Sequence, residues 1–122
     1  DTTANKSILQ VMATIEPSQD EDFVNHLPGT KALRWTDSFT DVISQNGGKD
    51  AGINHMISYY GIELENVMAI GDGANDIPML EYVPYSVAMG NASKEVKKYA
   101  SYVTDESQND GITKACQHFQ IL

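Results

Sequence analysis

Two carboxylates and an amide crowd one short stretch, Gly71-Asp72-Gly73-Ala74-Asn75-Asp76, directly after four apolar residues, Val67-Met68-Ala69-Ile70. Asp72 and Asp76 are hard oxygen donors of the kind Mg²⁺ takes. They are also few, which leaves room around a cation for water and phosphate oxygens. The apolar run reads as a buried strand, and Ile77, Leu80 and Val83 then recur at helical spacing, so the acceptor-rich residues occupy a strand-to-helix turn. In an open parallel sheet, ligands bind beyond the carboxyl ends of the strands, where this turn would lie. Gly71 and Gly73 are expected to take positive φ and to admit a ligand close to the backbone. The plainer alternative is a βα turn in which glycine serves geometry and Asp or Asn caps the helix. A calcium loop does not fit: counted from Asp72, Ile77 stands where glycine is needed and Val83 where glutamate is needed.

The chain around this turn has 122 residues, enough for one domain or part of one with a sizeable core. A net charge of −9 argues against nucleic-acid and anionic-membrane partners, which require clustered Lys and Arg. The single cysteine, Cys116, excludes an internal disulfide and reads as a small apolar residue on the last helix. No apolar run is long enough for a membrane span and no signal pattern opens the chain, so a soluble, cytoplasmic protein is expected. Asn-x-Ser triplets at Asn5 and Asn91 then read as chance.

The elements that must position the turn follow from the pattern. Asp1–Lys6 reads as a ragged start, and Ser7–Ile15 as a strand broken by Pro17. Ser18 with Glu21 has capping-box spacing, and Asp20, Glu21 and Asp22 fill a first helical turn where anions are favoured. Phe23, Val24 and Leu27 give that helix its buried side, and Pro28-Gly29 ends it. Thr30–Trp35 and Phe39–Ser44 read as a hairpin, with Trp35 more suited to packing than to stacking a substrate. Gln45-Asn46-Gly47-Gly48 is the one conspicuous linker.

Lys49–Tyr60 is expected to be helical, with Ile53, Met56, Ile57 and Tyr60 on its inner face and Gly61 as its stop. His26, His55 and His118 have no companions at ligand spacing. Beyond the turn come a strand at Tyr85–Met89, a helix capped by Ser93, a strand at Ala100–Val103, and a helix begun by Asp110. On the Ser93 helix Lys94, Glu95, Lys97 and Lys98 are expected to be solvated. In the last helix Ile112, Ala115, Cys116 and Phe119 are expected to face inward. Helix and strand therefore alternate from Lys49 on, which means a parallel sheet with right-handed crossovers.

Gly48-Lys49, with Asp72 23 residues after the lysine, and the run Gly-Asp-Gly-Ala-Asn-Asp-Ile-Pro-Met-Leu resemble the carboxyl-terminal motifs of the haloacid dehalogenase (HAD) superfamily. The similarity is greatest to its Cof-like branch of sugar-phosphate and related phosphatases. Val87-Ala88-Met89-Gly90-Asn91-Ala92, Val103-Thr104-Asp105 and Asn109-Asp110-Gly111 match the same branch, as does Trp35 followed by the Asp41-Val42-Ile43 strand. The resemblance implies an α/β fold, a Rossmann-like three-layer parallel sheet forming part of a HAD-like core. Residues 1–46 would be the end of an α+β cap and residues 47–122 the carboxyl-terminal half of the core.

It further implies a Mg²⁺-dependent phosphohydrolase of small phosphorylated metabolites. Asp72 and Asp76 would serve the metal, with Asp76 also fixing the lysine or a metal-bound water. Lys49 would neutralise charge on nucleophile and phosphate, and Asn75 and Asn91 would face the phosphoryl group. The family's nucleophile lies in an Asp-x-Asp motif after an apolar strand. Here Asp20-Glu21-Asp22 has the spacing but not the strand. The chain alone is therefore expected to bind Mg²⁺ weakly and to turn nothing over. The missing neighbour strand would leave a sheet edge open to self-association. The alternative is a non-catalytic fragment or remnant that keeps the fold and binds a partner or phosphate.

Overall fold

The computed structural model describes residues 7–122; the polar opening Asp1–Lys6, with the Asn5 triplet, lies outside the described residues. The chain divides into two compact units, one ending at Gly48 and the other beginning at Lys49.

In the first unit β1 (Gln10–Ala13), β2 (Thr30–Thr36) and β3 (Phe39–Ser44) form an antiparallel sheet in the order β1-β3-β2. Thr36 pairs with Phe39, so the expected hairpin closes over Asp37 and Ser38, residue types that bond their own backbone in turns. Val42 stands opposite both Val11 and Ala32 and is buried. The helix α1 (Asp20–Asn25) carries the acidic run in its first turn. Ser18 does not cap it. Pro17 starts a 3₁₀ turn one step earlier, and there the Gln19 side chain accepts the Glu16 N–H at 2.9 Å.

Asp20, in that first turn, also takes the Arg34 guanidinium in a bidentate pair, Nε–Oδ2 2.6 Å and Nη2–Oδ1 2.7 Å. Arg34 also donates to the carbonyls of Ile15 and Asp37, tying the helix entry to the hairpin. Phe23 and Val24 are half-buried as expected, whereas Leu27 is exposed. Trp35 is exposed and touches Phe39 edge-on, with ring centroids 5.1 Å apart.

The second unit runs α2 (Lys49–Tyr60), β4 (Met68–Gly71), α3 (Ile77–Tyr82), β5 (Tyr85–Ala88), α4 (Lys94–Lys97), β6 (Tyr102–Val103), α5 (Gly111–His118). The three strands are parallel in the order β4-β5-β6, the α/β alternation that the sequence predicts. The middle strand is buried without alternation, Ser86, Val87 and Ala88 together, because helices cover both faces of such sheets. Leu80, Ala88, Ala92 and Val96 form its core cluster. Ser86 is tolerated there because Ser101 satisfies it: the Ser101 N–H donates to Ser86 Oγ at 3.0 Å and the Ser101 hydroxyl to the Ser86 carbonyl at 2.8 Å. That side-chain pairing replaces the ladder, so β6 is shorter than the expected Ala100–Val103.

Gly61, at φ +63°, ends α2 as the spacing predicts. The inner face of α2 is narrower than expected. Ile53 and Ile57 are half-buried, but Met56 and Tyr60 are exposed. In α5 Ala115 is fully buried while Ile112 is exposed. Among the described residues β4 pairs on one side only, and no helix is long and apolar enough to cross a membrane.

Candidate active site

Backbone bonds draw the loops that follow β4, β5 and β6 together at the carboxyl end of the sheet. Met89 N–H donates to the Gly71 carbonyl at 2.9 Å, Thr104 N–H to Ala88 at 3.0 Å, and Gly90 N–H to Asp105 at 3.0 Å. The acceptor-rich turn sits in this cluster. After β4 the chain makes one 3₁₀ turn, Ala74–Asp76, before α3 begins with Pro78 in its first turn.

Asp76 is the hub. The residue is only 4% exposed, and both carboxylate oxygens are engaged. Oδ1 meets the ammonium of Lys49, the first residue of α2. Oδ2 accepts the N–H groups of Asp72 at 2.9 Å and Gly73 at 3.0 Å. Burial alone would raise the Asp76 carboxyl; the bond from Lys49, the two backbone N–H groups and the lysine's charge outweigh it and hold the carboxyl below its ordinary value. The stabilisation this gives is complete above the unfolded carboxylate range, near pH 4, and fades as pH falls through the lowered folded value. Asp76→Asn is expected to flatten this part of the acid limb, measured as urea-unfolding stability at pH 3 to 5 against pH 7.

Contrary to the sequence expectation, Gly71 and Gly73 do not take positive φ. Gly73 is extended at φ −100°, and the described positive-φ glycines are Gly29, Gly48 and Gly61. What each glycine admits is a side chain of the same turn. A Cβ at Gly71 would lie 2.6 Å from Asp76 Cβ, and one at Gly73 would lie 2.6 Å from Asn75 Oδ1. The need for glycine is therefore a close approach, with the protein itself as the approaching group.

Asp72 faces solvent, in contrast to Asp76. Its Oδ2 accepts the side-chain N–H of Asn91 at 2.8 Å, from the loop after β5. Asn75 is half-buried over Gly73. The structure thus brings Lys49, Asp72, Asp76 and Asn91 into one bonded chain, with Asn75 in the same turn. Among the described residues no three His, Cys, Asp or Glu side chains gather as a cation cage. His26 bonds the Asp22 carbonyl at 2.8 Å, and His118 stacks on Tyr102 at 3.9 Å.

The sequence reading missed one contributor. Lys97, expected to be solvated, is half-buried and donates to the Gly90 carbonyl at 2.6 Å, beside Asn91. Its sequence context, two adjacent lysines at a helix end, holds no signal that separates it from Lys98.

This arrangement can be set beside known proteins. A family profile described as haloacid dehalogenase-like hydrolase matches residues 1–116. The chain is 34% identical over 117 residues to a putative phosphatase, YkrA, of Bacillus subtilis, covering 96% of this chain and 45% of that protein. Among solved structures it is similar to the HAD subclass IIB sugar phosphatase BT4131, at TM-score 0.90 and 38% identity, over 99% of this chain and 46% of the other. It is similar also to BT1666 of Bacteroides thetaiotaomicron, a HAD-superfamily phosphatase, at TM-score 0.93 and 36% identity, over 99% and 45%. The chain therefore spans just under half the length of each of these three proteins. With the parallel sheet, the Lys49–Asp76 pair at its carboxyl end and a profile match over nearly all its residues, the chain belongs to the haloacid dehalogenase-like hydrolases.

Proposed function

We propose that this chain supplies part of the active site of a Mg²⁺-dependent phosphohydrolase acting on small phosphorylated metabolites such as sugar phosphates. One observation carries the proposal. A buried carboxylate, Asp76, clamps an ammonium on one oxygen and the Asp72 turn on the other, so a cationic and an anionic group lie side by side beyond a strand end.

In this reading Asp72 holds the cation. A single solvent-facing carboxylate, with Asn91 fixing one of its oxygens, suits Mg²⁺, which keeps several waters and takes substrate phosphate oxygens. Asp76, also a candidate ligand by motif, has no oxygen free of protein donors; it positions Lys49 and the turn. Bound Mg²⁺ supplies positive charge to the equatorial phosphoryl oxygens. Lys49 adds a second cation held on a helix rather than on a mobile loop, so little reorganisation accompanies the reaction. Asn75 and Asn91 orient the phosphoryl group. The carboxylate that attacks phosphorus, breaking the ester P–O bond and forming an aspartyl-phosphate for water to hydrolyse, comes from outside these residues. Residues 1–46 serve as the end of the cap, residues 47–122 as the second half of the core.

The competing reading is a non-catalytic remnant that binds phosphate or a partner. The two part on one assay. Full-length protein is expected to hydrolyse p-nitrophenyl phosphate with Mg²⁺ and to stop when a chelator removes it, while the isolated 122-residue chain turns nothing over. A full-length protein inert towards this ester and a panel of sugar phosphates would favour the remnant; turnover by the isolated chain would overturn the account of the nucleophile.

A further inference from the structure

On α4, Lys94 and Lys98 are exposed, and Lys98 pairs at the surface with Glu95 at 2.5 Å. Lys97 behaves differently. The residue is half-buried, and its ammonium reaches back seven residues and out of its own helix to the Gly90 carbonyl, at 2.6 Å. The helix dipole accounts for a cation in the last turn, not for a bond to a neighbouring loop.

The receiving peptide is held from its other side as well. Gly90 N–H donates to the Asp105 carbonyl at 3.0 Å, and a Cβ at Gly90 would come within 2.6 Å of the Glu106 nitrogen. With both polar groups of Gly90 fixed, the next residue, Asn91, leaves the loop in a set direction. Its side-chain N–H then meets Asp72 Oδ2 at 2.8 Å. Fixing a flexible lysine with its charged tip on one carbonyl costs side-chain entropy that a freely solvated lysine keeps.

We propose that Lys97 is a positioning residue for the Asp72 cation site, acting through the Gly90 carbonyl and the Asn91 carboxamide. The inference rests on the phosphohydrolase reading of Asp72. Groups one layer behind a ligand typically contribute 10- to 100-fold in metal affinity. Lys97 stands one layer further out.

Calorimetric titration of Mg²⁺ alone into full-length protein tests it, with thermal unfolding run on every variant. Lys97→Met, which keeps the stem, is expected to weaken Mg²⁺ binding by roughly 3- to 10-fold, at or below the low end for groups one layer nearer the metal. Lys97→Arg, which keeps the donor, is expected to restore binding to within about twofold. In an Asn91→Ala background Lys97→Met is expected to add nothing, because contacting residues on one route are not additive. A merely structural lysine would lower the unfolding temperature and leave the Mg²⁺ affinity alone. Wild-type affinity in Lys97→Met, or losses that simply add in the double variant, would overturn the proposal. Asp72→Asn separates the layers: if it alone binds Mg²⁺ normally, the metal reading fails and the inference with it. If it loses binding while Lys97→Met does not, only the role of Lys97 falls.

Discussion

Asp72→Asn in the full-length protein is expected to lower kcat by about 10³-fold, the upper range for removing one preorganised electrostatic group. Folding stability should change by no more than about 0.5 kcal/mol, as for exposed positions that carry no buried partner. The two halves of this expectation have separate causes. Asparagine keeps an oxygen that can still accept the Asn91 N–H, and the Asp72 side chain faces solvent, so the fold loses little. The charge that would hold Mg²⁺ is gone, and the other carboxylate of the turn, Asp76, is buried and engaged by Lys49 on one oxygen and by two backbone N–H groups on the other. Steady-state kinetics over a Mg²⁺ series, beside urea unfolding, checks both halves. A variant that keeps most of its rate would mean that the cation sits elsewhere.

Gly71→Ala should produce the opposite division, with both stability and rate falling. The added carbon would lie 2.6 Å from Asp76 Cβ and 2.8 Å from its Cγ and Oδ2. Asp76 cannot swing aside cheaply, because Lys49 and two backbone N–H groups hold its carboxylate. Overpacking of this kind typically costs about 1–3 kcal/mol. The upper part of that range is expected, since relief means breaking the ion pair on the buried Asp76 carboxylate and its two backbone hydrogen bonds. Displacing Asp76 also moves Lys49, and a misplacement of about 1 Å can cost roughly 10²-fold in rate. Gly52→Ala is the control: nothing lies within 4 Å of its added carbon and it sits inside α2, so helix propensity favours alanine by up to about 1 kcal/mol. Equal behaviour of the two variants in urea unfolding would refute the packing argument.

The sequence made the hairpin, the bounds of α2 and the α/β alternation readable, because turn chemistry and apolar period are local. It was silent where the deciding partner is remote. Pro17 and Gln19 cap a turn for which the pattern offers Ser18, and Asp20 pairs with Arg34, 14 residues away. Met56 and Tyr60 recur at helical spacing with Ile53, yet spacing records which side chains are apolar, not what stands ready to cover them. Gly71 signalled a tight place correctly, but the sequence could not show that the intruder is Asp76 rather than a ligand. That Lys49, Asp72, Asn75, Asp76 and Asn91 lie together was legible in the sequence. Lys97 was not, since only the path of the loop after β5 distinguishes it from Lys98.

A crystal structure of the full-length protein soaked with Mg²⁺ and a phosphoryl mimic such as tetrafluoroaluminate decides whether Asp72 holds the cation opposite Lys49. An Asp72 carboxylate oxygen is expected at about 2.0–2.1 Å from the metal, the Mg²⁺–oxygen distance. The Lys49 ammonium is expected within hydrogen-bond reach of the mimic while still on Asp76. A metal bound without Asp72, or a mimic seated away from Lys49, would contradict that placement.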